Sequence, residues 1–301
     1  PPPPLAAYLT EELGGRKDTP LAALSAASGE AEIPPFDPNK DAYVLLAWPG
    51  LGLNMVVESQ GAFVLRAAGS DLNAQLVKRD EFPSKVTDGV ELTYAIEDKG
   101  GSGTMKVLEG RDWFQAAAIA VSPRKQGGAL NPYPLVTVEA RDLATKAVLG
   151  RTMAVLPVSD EVACASCHGG ADKNGNISPE TGLNILRIHD RLNRTKLSAQ
   201  AKGGTPVQCT SCHADPLTGK EGRGDLLSVS SALHGFHAGV LKGRGADACA
   251  QCHPSRPDGG TRFQRGLHAQ MGLDCVSCHG ALEDHSLALL KREAETNKRG
   301  A

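Results

Sequence analysis

Cys-x-x-Cys-His stands at Cys164–His168 and returns at Cys209–His213, Cys249–His253 and Cys275–His279, so four copies of one motif crowd the last 138 residues. They begin 45, 40 and 26 residues apart, which leaves little chain for a conventional core between them. Two thiols three residues apart lie on one side of a helical turn, and the next residue directs an imidazole the same way. One short segment can therefore form thioethers with both vinyl groups of a porphyrin and supply a proximal ligand to its iron. The alternative is a pair of four-thiolate zinc ribbons, but zinc does not require the histidine that follows every pair. All 8 cysteines are consumed by the motifs, so none remains for a disulfide or a catalytic nucleophile.

The remaining histidines extend the pattern. Once His168, His213, His253 and His279 are assigned as proximal ligands, His189, His234, His237, His268 and His285 are left of the 9. Four irons need four sixth ligands, and two imidazoles per iron favour electron transfer over the binding of external molecules. His189 lies in an apolar-periodic stretch, 183–192, that reads as a helix. His234 and His237 are three apart on one helical face and can serve two neighbouring haems. His268 precedes Cys275 by seven residues, and His285 follows the last motif on an amphipathic terminal helix. The expected distal set is His189, His234, His237 and His268, with His285 spare or directed at a neighbouring subunit. Met271 is the one methionine in this half. Basic residues such as Arg187, Arg191, Arg223 and Arg244 are available to haem propionates.

No His and no Cys precedes Cys164, so the first half has to build an ordinary polypeptide core. Three parts are expected: an N-terminal arm with short helices over 1–40, a mainly β, sandwich-like domain over 41–160, and a haem-organised domain of short helices and loops over 161–301. The arm opens on four prolines, and its helices are placed at 5–13 and 19–29. Strands are expected over 42–48, 62–67, 72–78, 90–97 and 104–108, with a hairpin formed by 135–141 and 147–156. Asp112–Val121, with its alanine run, reads as an inserted helix. The β part shows no cluster of chemically active residues, which leaves it to pack against the haem half or against another protein. Aromatic residues are only 4% of the chain, and four porphyrins in 164–279 would supply the flat apolar surface that side chains do not.

The four motifs resemble those of multihaem c-type cytochromes, and the stretch from Asn131 through Glu161 is loosely similar to the segment leading into the first motif of some bacterial members. The resemblance implies four covalent haem c groups, bis-histidine ligation and electron transfer rather than enzymatic turnover. It also implies maturation outside the cytoplasmic membrane, in the periplasm or at the cell exterior. A start at Pro1, with no initiator Met or hydrophobic signal core, reads as a processed form. Tetrahaem chains of this kind resemble subunits of extracellular cytochrome filaments, where a head-to-tail contact that does not close gives an open helical homopolymer. Partners would be other cytochromes or redox proteins, or extracellular mineral or electrode acceptors. A discrete periplasmic carrier and a multihaem reductase are the competing readings. A formal charge of −2, with basic residues spread along the chain, argues against nucleic acid, and no apolar run reaches the length of a membrane span.

Overall fold

The computed structural model describes residues 36–97, 100–170, 177–256, 259–261 and 267–299. The chain divides into a unit Pro1–Asp41 and a unit Ala42–Ala301. Of the first, residues 36–41 are described: Asp37 closes a turn, its carbonyl accepting from the Lys40 N–H at 3.1 Å. Both helices expected in the arm lie outside the described residues.

The second unit starts with strands: β1 (Tyr43–Pro49), β2 (Asn54–Met55), β3 (Val57–Ser59), β4 (Phe63–Arg66), β5 (Ser70–Lys78), β6 (Ser84–Val86), β7 (Val90–Ile96), β8 (Ser102–Val107), β9 (Phe114–Ile119), β10 (Leu135–Asp142), β11 (Val148–Val155) and β12 (Val158–Ser159). Eight of them form one antiparallel sheet in the order β1-β5-β9-β8-β7-β10-β11, with β6 beside β5. Every second residue on β10, namely Val136, Val138 and Ala140, is fully buried, and so are Leu72, Ala74 and Leu76 on β5 and Leu92 on β7. That alternation defines a single inner face. The end strands β1 and β11 come together, and Gly150 makes room for it: a Cβ there would lie 3.4 Å from Leu45 Cβ. The sheet thus curls into a nearly closed barrel where two stacked sheets were expected. Period-two alternation asks only for one buried face, and curling provides it as well as stacking does.

The strands expected from the sequence are present. The helix expected over Asp112–Val121 is not: this stretch is β9, whose Phe114, Ala116 and Ile119 are buried in the barrel. Opposite the two residues Ser70 and Leu72, the ladder runs from Ile119 to Ala116, so β9 carries an extra residue. Ala118 takes it up at φ 52°, its N–H donating to Asp71 Oδ1 at 2.7 Å. The alanines favour a helix in isolation, but burial of Phe114 and Ile119 on a bulged strand overrides that preference.

Beyond β12 the unit is helical: α1 (Ala165–His168), α2 (Pro179–Asn193), α3 (Leu197–Lys202), strand β13 (Val207–Gln208), a 3-10 turn (Cys209–Ser211), α4 (Val229–Val240), α5 (Ala246–Ala250), α6 (Leu267–Gln270), α7 (Cys275–His279) and α8 (Leu282–Arg299). Helix α2 starts cleanly, with Ser178 Oγ accepting the Thr181 N–H at 3.1 Å and Pro179 in its first turn. A second apolar cluster, of Ala62, Phe63, Ile177, Leu186, Ala201 and Val207, joins it to the β region. None of the described helices is long and apolar enough to cross a membrane.

The α2 contact depends on a missing side chain. A Cβ on Gly182 would stand 2.6 Å from Ser59 Cβ and 2.8 Å from Ala62 Cβ, closer than real carbons approach. Gly182→Ala should therefore lower the unfolding free energy by about 1–3 kcal/mol through overpacking. Chemical denaturation will show this, and adding Ala62→Gly should recover part of the loss.

Candidate functional site

Each Cys-x-x-Cys-His segment folds as a tight turn. The His N–H donates to the carbonyl of the first Cys at 2.9 Å for His168, 3.0 Å for His213 and 2.8 Å for His253. The fourth motif is α7, whose start is held by a reciprocal capping box between Asp274 and Ser277. All eight thiols are free. Burial pushes the Cys164 and Cys209 thiols up to about 11, so both are neutral at physiological pH. Among the described residues no three His, Cys, Asp or Glu side chains converge as a ligand set for a bare metal ion.

The turns are too short to fix their own positions, and the β region does so for the first two. Ahead of the first, β12 runs parallel to β2, and Arg124 grips Asp160 with both arms, Nε at 2.7 Å and Nη2 at 3.0 Å. Glu161 accepts from the Gly260 N–H at 2.9 Å and the Thr261 N–H at 2.6 Å. The Ala163 N–H donates to the Gln251 carbonyl at 2.9 Å, tying the first motif to the third. Ahead of the second motif, β13 runs parallel to β4, pairing Val207 with Phe63 and Gln208 with Val64. Just after it, Arg66 meets Asp215 at 3.1 Å. Sequence reasoning missed all of these residues, because their partners lie between 36 and 149 positions away.

The histidines are brought together in pairs. Ring centroids of His168 and His237 are 6.4 Å apart, those of His189 and His213 6.4 Å, and those of His234 and His253 6.1 Å. Two imidazoles on opposite sides of one metal, with metal–nitrogen bonds of about 2 Å, place their ring centres roughly 6 Å apart. Each pair joins one motif histidine to one of the expected distal residues.

Hydrogen bonds at Nδ1 also fix the tautomers. His213 Nδ1 lies 2.7 Å from the Leu227 carbonyl, His234 Nδ1 2.8 Å from that of Ser230 and His237 Nδ1 2.9 Å from that of Leu233. A carbonyl only accepts, so Nδ1 carries the proton and Nε2 keeps its lone pair for a metal. His189 Nδ1 sits 3.0 Å from Thr195 Oγ1, whose own proton goes to Asp190 Oδ1 at 2.7 Å. Burial works against the Asp190 charge, but hydrogen bonds from Thr195, Ser198 and Leu197 hold its carboxyl well below the usual carboxylate range. His168 Nδ1 is buried with no hydrogen-bond partner among the described residues.

The fourth motif differs. His285 stands edge-on to His279 at 5.4 Å and to His234 at 4.9 Å. It follows His279 by only six positions, and those from Leu282 on are helical. They span at most about 15 Å, too little to round a macrocycle and return over its other face. His268 is exposed on α6, and no ring contact joins it to another imidazole among the described residues. Met271 is also exposed.

The surroundings fit a large apolar cofactor. Leu192, Leu227, Leu233, Phe236, Val240 and Leu287 are exposed beside the histidines, and Phe236 lies edge-on to His237 at 5.1 Å. Thiols at thioether spacing, paired imidazoles of which His189, His213, His234 and His237 have their Nδ1 atoms engaged, and uncovered apolar side chains are together the donor set and lining that haem c needs.

The chain is distantly similar to a nine-haem cytochrome c from Desulfovibrio desulfuricans, 26% identical over 163 residues, which are 52% of this chain and 43% of that protein. It thus spans less than half the length of the curated relative it matches. No family model matches, and no solved structure does. The likeness supports a multihaem c-type cytochrome.

The grip of Arg124 on Asp160 gives a test of the scaffold. The two side chains are 20% and 10% exposed, so Arg124→Met leaves a mostly buried carboxylate alone and should cost about 3 kcal/mol. Urea unfolding will measure it, and Arg124→Met with Asp160→Asn should regain part of the loss.

Proposed function

We propose that this chain carries electrons through four covalently attached haem c groups. The reading rests on the three motif histidines that each face an expected distal histidine at 6.1 to 6.4 Å. Attachment falls to Cys164 and Cys167, Cys209 and Cys212, Cys249 and Cys252, and Cys275 and Cys278. The irons would be held by His168 with His237, His213 with His189, and His253 with His234. His268 is the remaining donor for the iron at His279, with His285 outside the ligand set. When bound, haem c supplies reversible one-electron chemistry at its iron.

The polypeptide contributes placement. His234 and His237 ride on α4 three residues apart, so the sites they serve are held as neighbours. The Ala163 N–H donates to the Gln251 carbonyl at 2.9 Å and the Cys249 and Cys275 side chains are within hydrogen-bonding reach, which sets the first, third and fourth motifs side by side. His285 fills the space between His234 and His279.

The finer reading is a subunit of an extracellular filament, assembled head to tail and passing electrons to other redox proteins or to a mineral or electrode surface. It is supported by the resemblance of the four-motif half to such subunits and by the attachment of four groups within 164–279. Negative-stain microscopy of native secreted material tests it: fibres support the polymer, and isolated particles leave a discrete carrier. The fourth site is where a reductase would differ, since an iron at His279 without a sixth ligand would bind carbon monoxide.

Intact mass of the holoprotein should show four haems. His189→Ala, His234→Ala and His237→Ala should each turn one of the four low-spin signals high-spin by electron paramagnetic resonance, while His285→Ala should leave the low-spin count unchanged. Fewer than four haems, or no spin change in the first three variants, overturns the reading.

A further inference from the structure

The β region places one full charge inside the motif-bearing half. Arg66, the last residue of β4, is 17% exposed at its side chain and reaches Asp215, whose side chain is 8% exposed. Asp215 is held from three sides: Arg66 Nη2 at 3.1 Å and Thr218 Oγ1 at 2.9 Å donate to Oδ2, and the Leu217 N–H donates to Oδ1 at 3.2 Å. It lies two residues beyond His213. Strand β4 also pairs with β13, which leads directly into Cys209, so Arg66 cannot drift away from the second motif.

We infer that Arg66 and Asp215 form a potential-setting charge pair seated beside the second attachment site, with Arg66 raising and Asp215 lowering the potential of the nearest iron. The inference rests on the four-haem reading above. A ferric centre carries one more positive charge than a ferrous one, so a nearby cation disfavours the oxidised form and a nearby anion favours it. Interactions of this kind are strong where water is excluded and weak where it is not. Both side chains are mostly buried, so ions in solution screen them poorly. Replacing either partner with a neutral side chain leaves the other charge alone beside the second site, so the two single variants act on it with opposite signs, which a pair that only braces the fold would not do.

The test is an optical redox titration of the full-length holoprotein, with haem content fixed by intact mass. Arg66→Met should move part of the curve, about the share of one haem in four, to lower potential. Asp215→Asn should move a comparable part to higher potential, and Arg66→Lys should stay close to the parent. Both displacements should persist at high ionic strength. Single variants that shift in the same direction, or curves that superimpose on the parent while only the thermal midpoint falls, overturn the inference. Should Arg66→Met fail to load haem, Asp215→Asn and Arg66→Lys decide it by the same criteria. A parent with fewer than four haems fails the underlying reading instead, and the two failures are separated by mass before any titration.

Discussion

Short parallel pairings between the β region and the segments entering the motifs are the constraint on which the rest depends. A five-residue Cys-x-x-Cys-His turn has almost no core of its own. Its place in space is set by what flanks it: β12 on β2 before the first motif and β13 on β4 before the second. Both pairings are two residues long and would be worthless in isolation. They hold because each is backed by burial and charge, with Arg124 on Asp160 at one and Arg66 on Asp215 at the other. The barrel, which carries no cysteine or histidine, thereby acts as the frame on which two of the four Cys-x-x-Cys-His motifs are mounted.

The histidine positions show a second layer of the same logic. A free imidazole can present either nitrogen, and a metal site needs one of them. Backbone carbonyls of Leu227, Ser230 and Leu233 make that choice for His213, His234 and His237. For His234 and His237 the acceptor lies four residues back on the same helix, so the chain fixes the tautomer locally. His189 needs a longer relay through Thr195 to Asp190. That relay also caps α3, since Asp190 accepts the Leu197 and Ser198 N–H groups at 2.7 and 2.9 Å.

Much of this was legible in the sequence, and the part that was not has a common cause. Strands such as β5 and β10 could be read because period-two burial is written into adjacent residues. β9 was misread because alanines around Trp113 and Phe114 favour a helix locally, while the sheet that overrides them is built from distant strands. The motif cysteines and histidines were evident from spacing, as was the shared helical face of His234 and His237, and α2 with His189 was evident from its apolar periodicity. Which histidine faces which motif was not, because His168 and His237 are sixty-nine positions apart and meet only after folding. Two-residue strands such as β2, β12 and β13 leave no periodic trace, and their partners are equally remote.

The three-residue separation of His234 and His237 has a mechanical consequence. Both are carried by one rigid rod, α4, whose far end is clamped where Glu293 of α8 accepts the Ser228 N–H at 2.7 Å and the Ser228 hydroxyl at 2.9 Å. Thermal displacement of that rod carries both rings the same way, so their mutual spacing is insulated from the vibration of the protein around them.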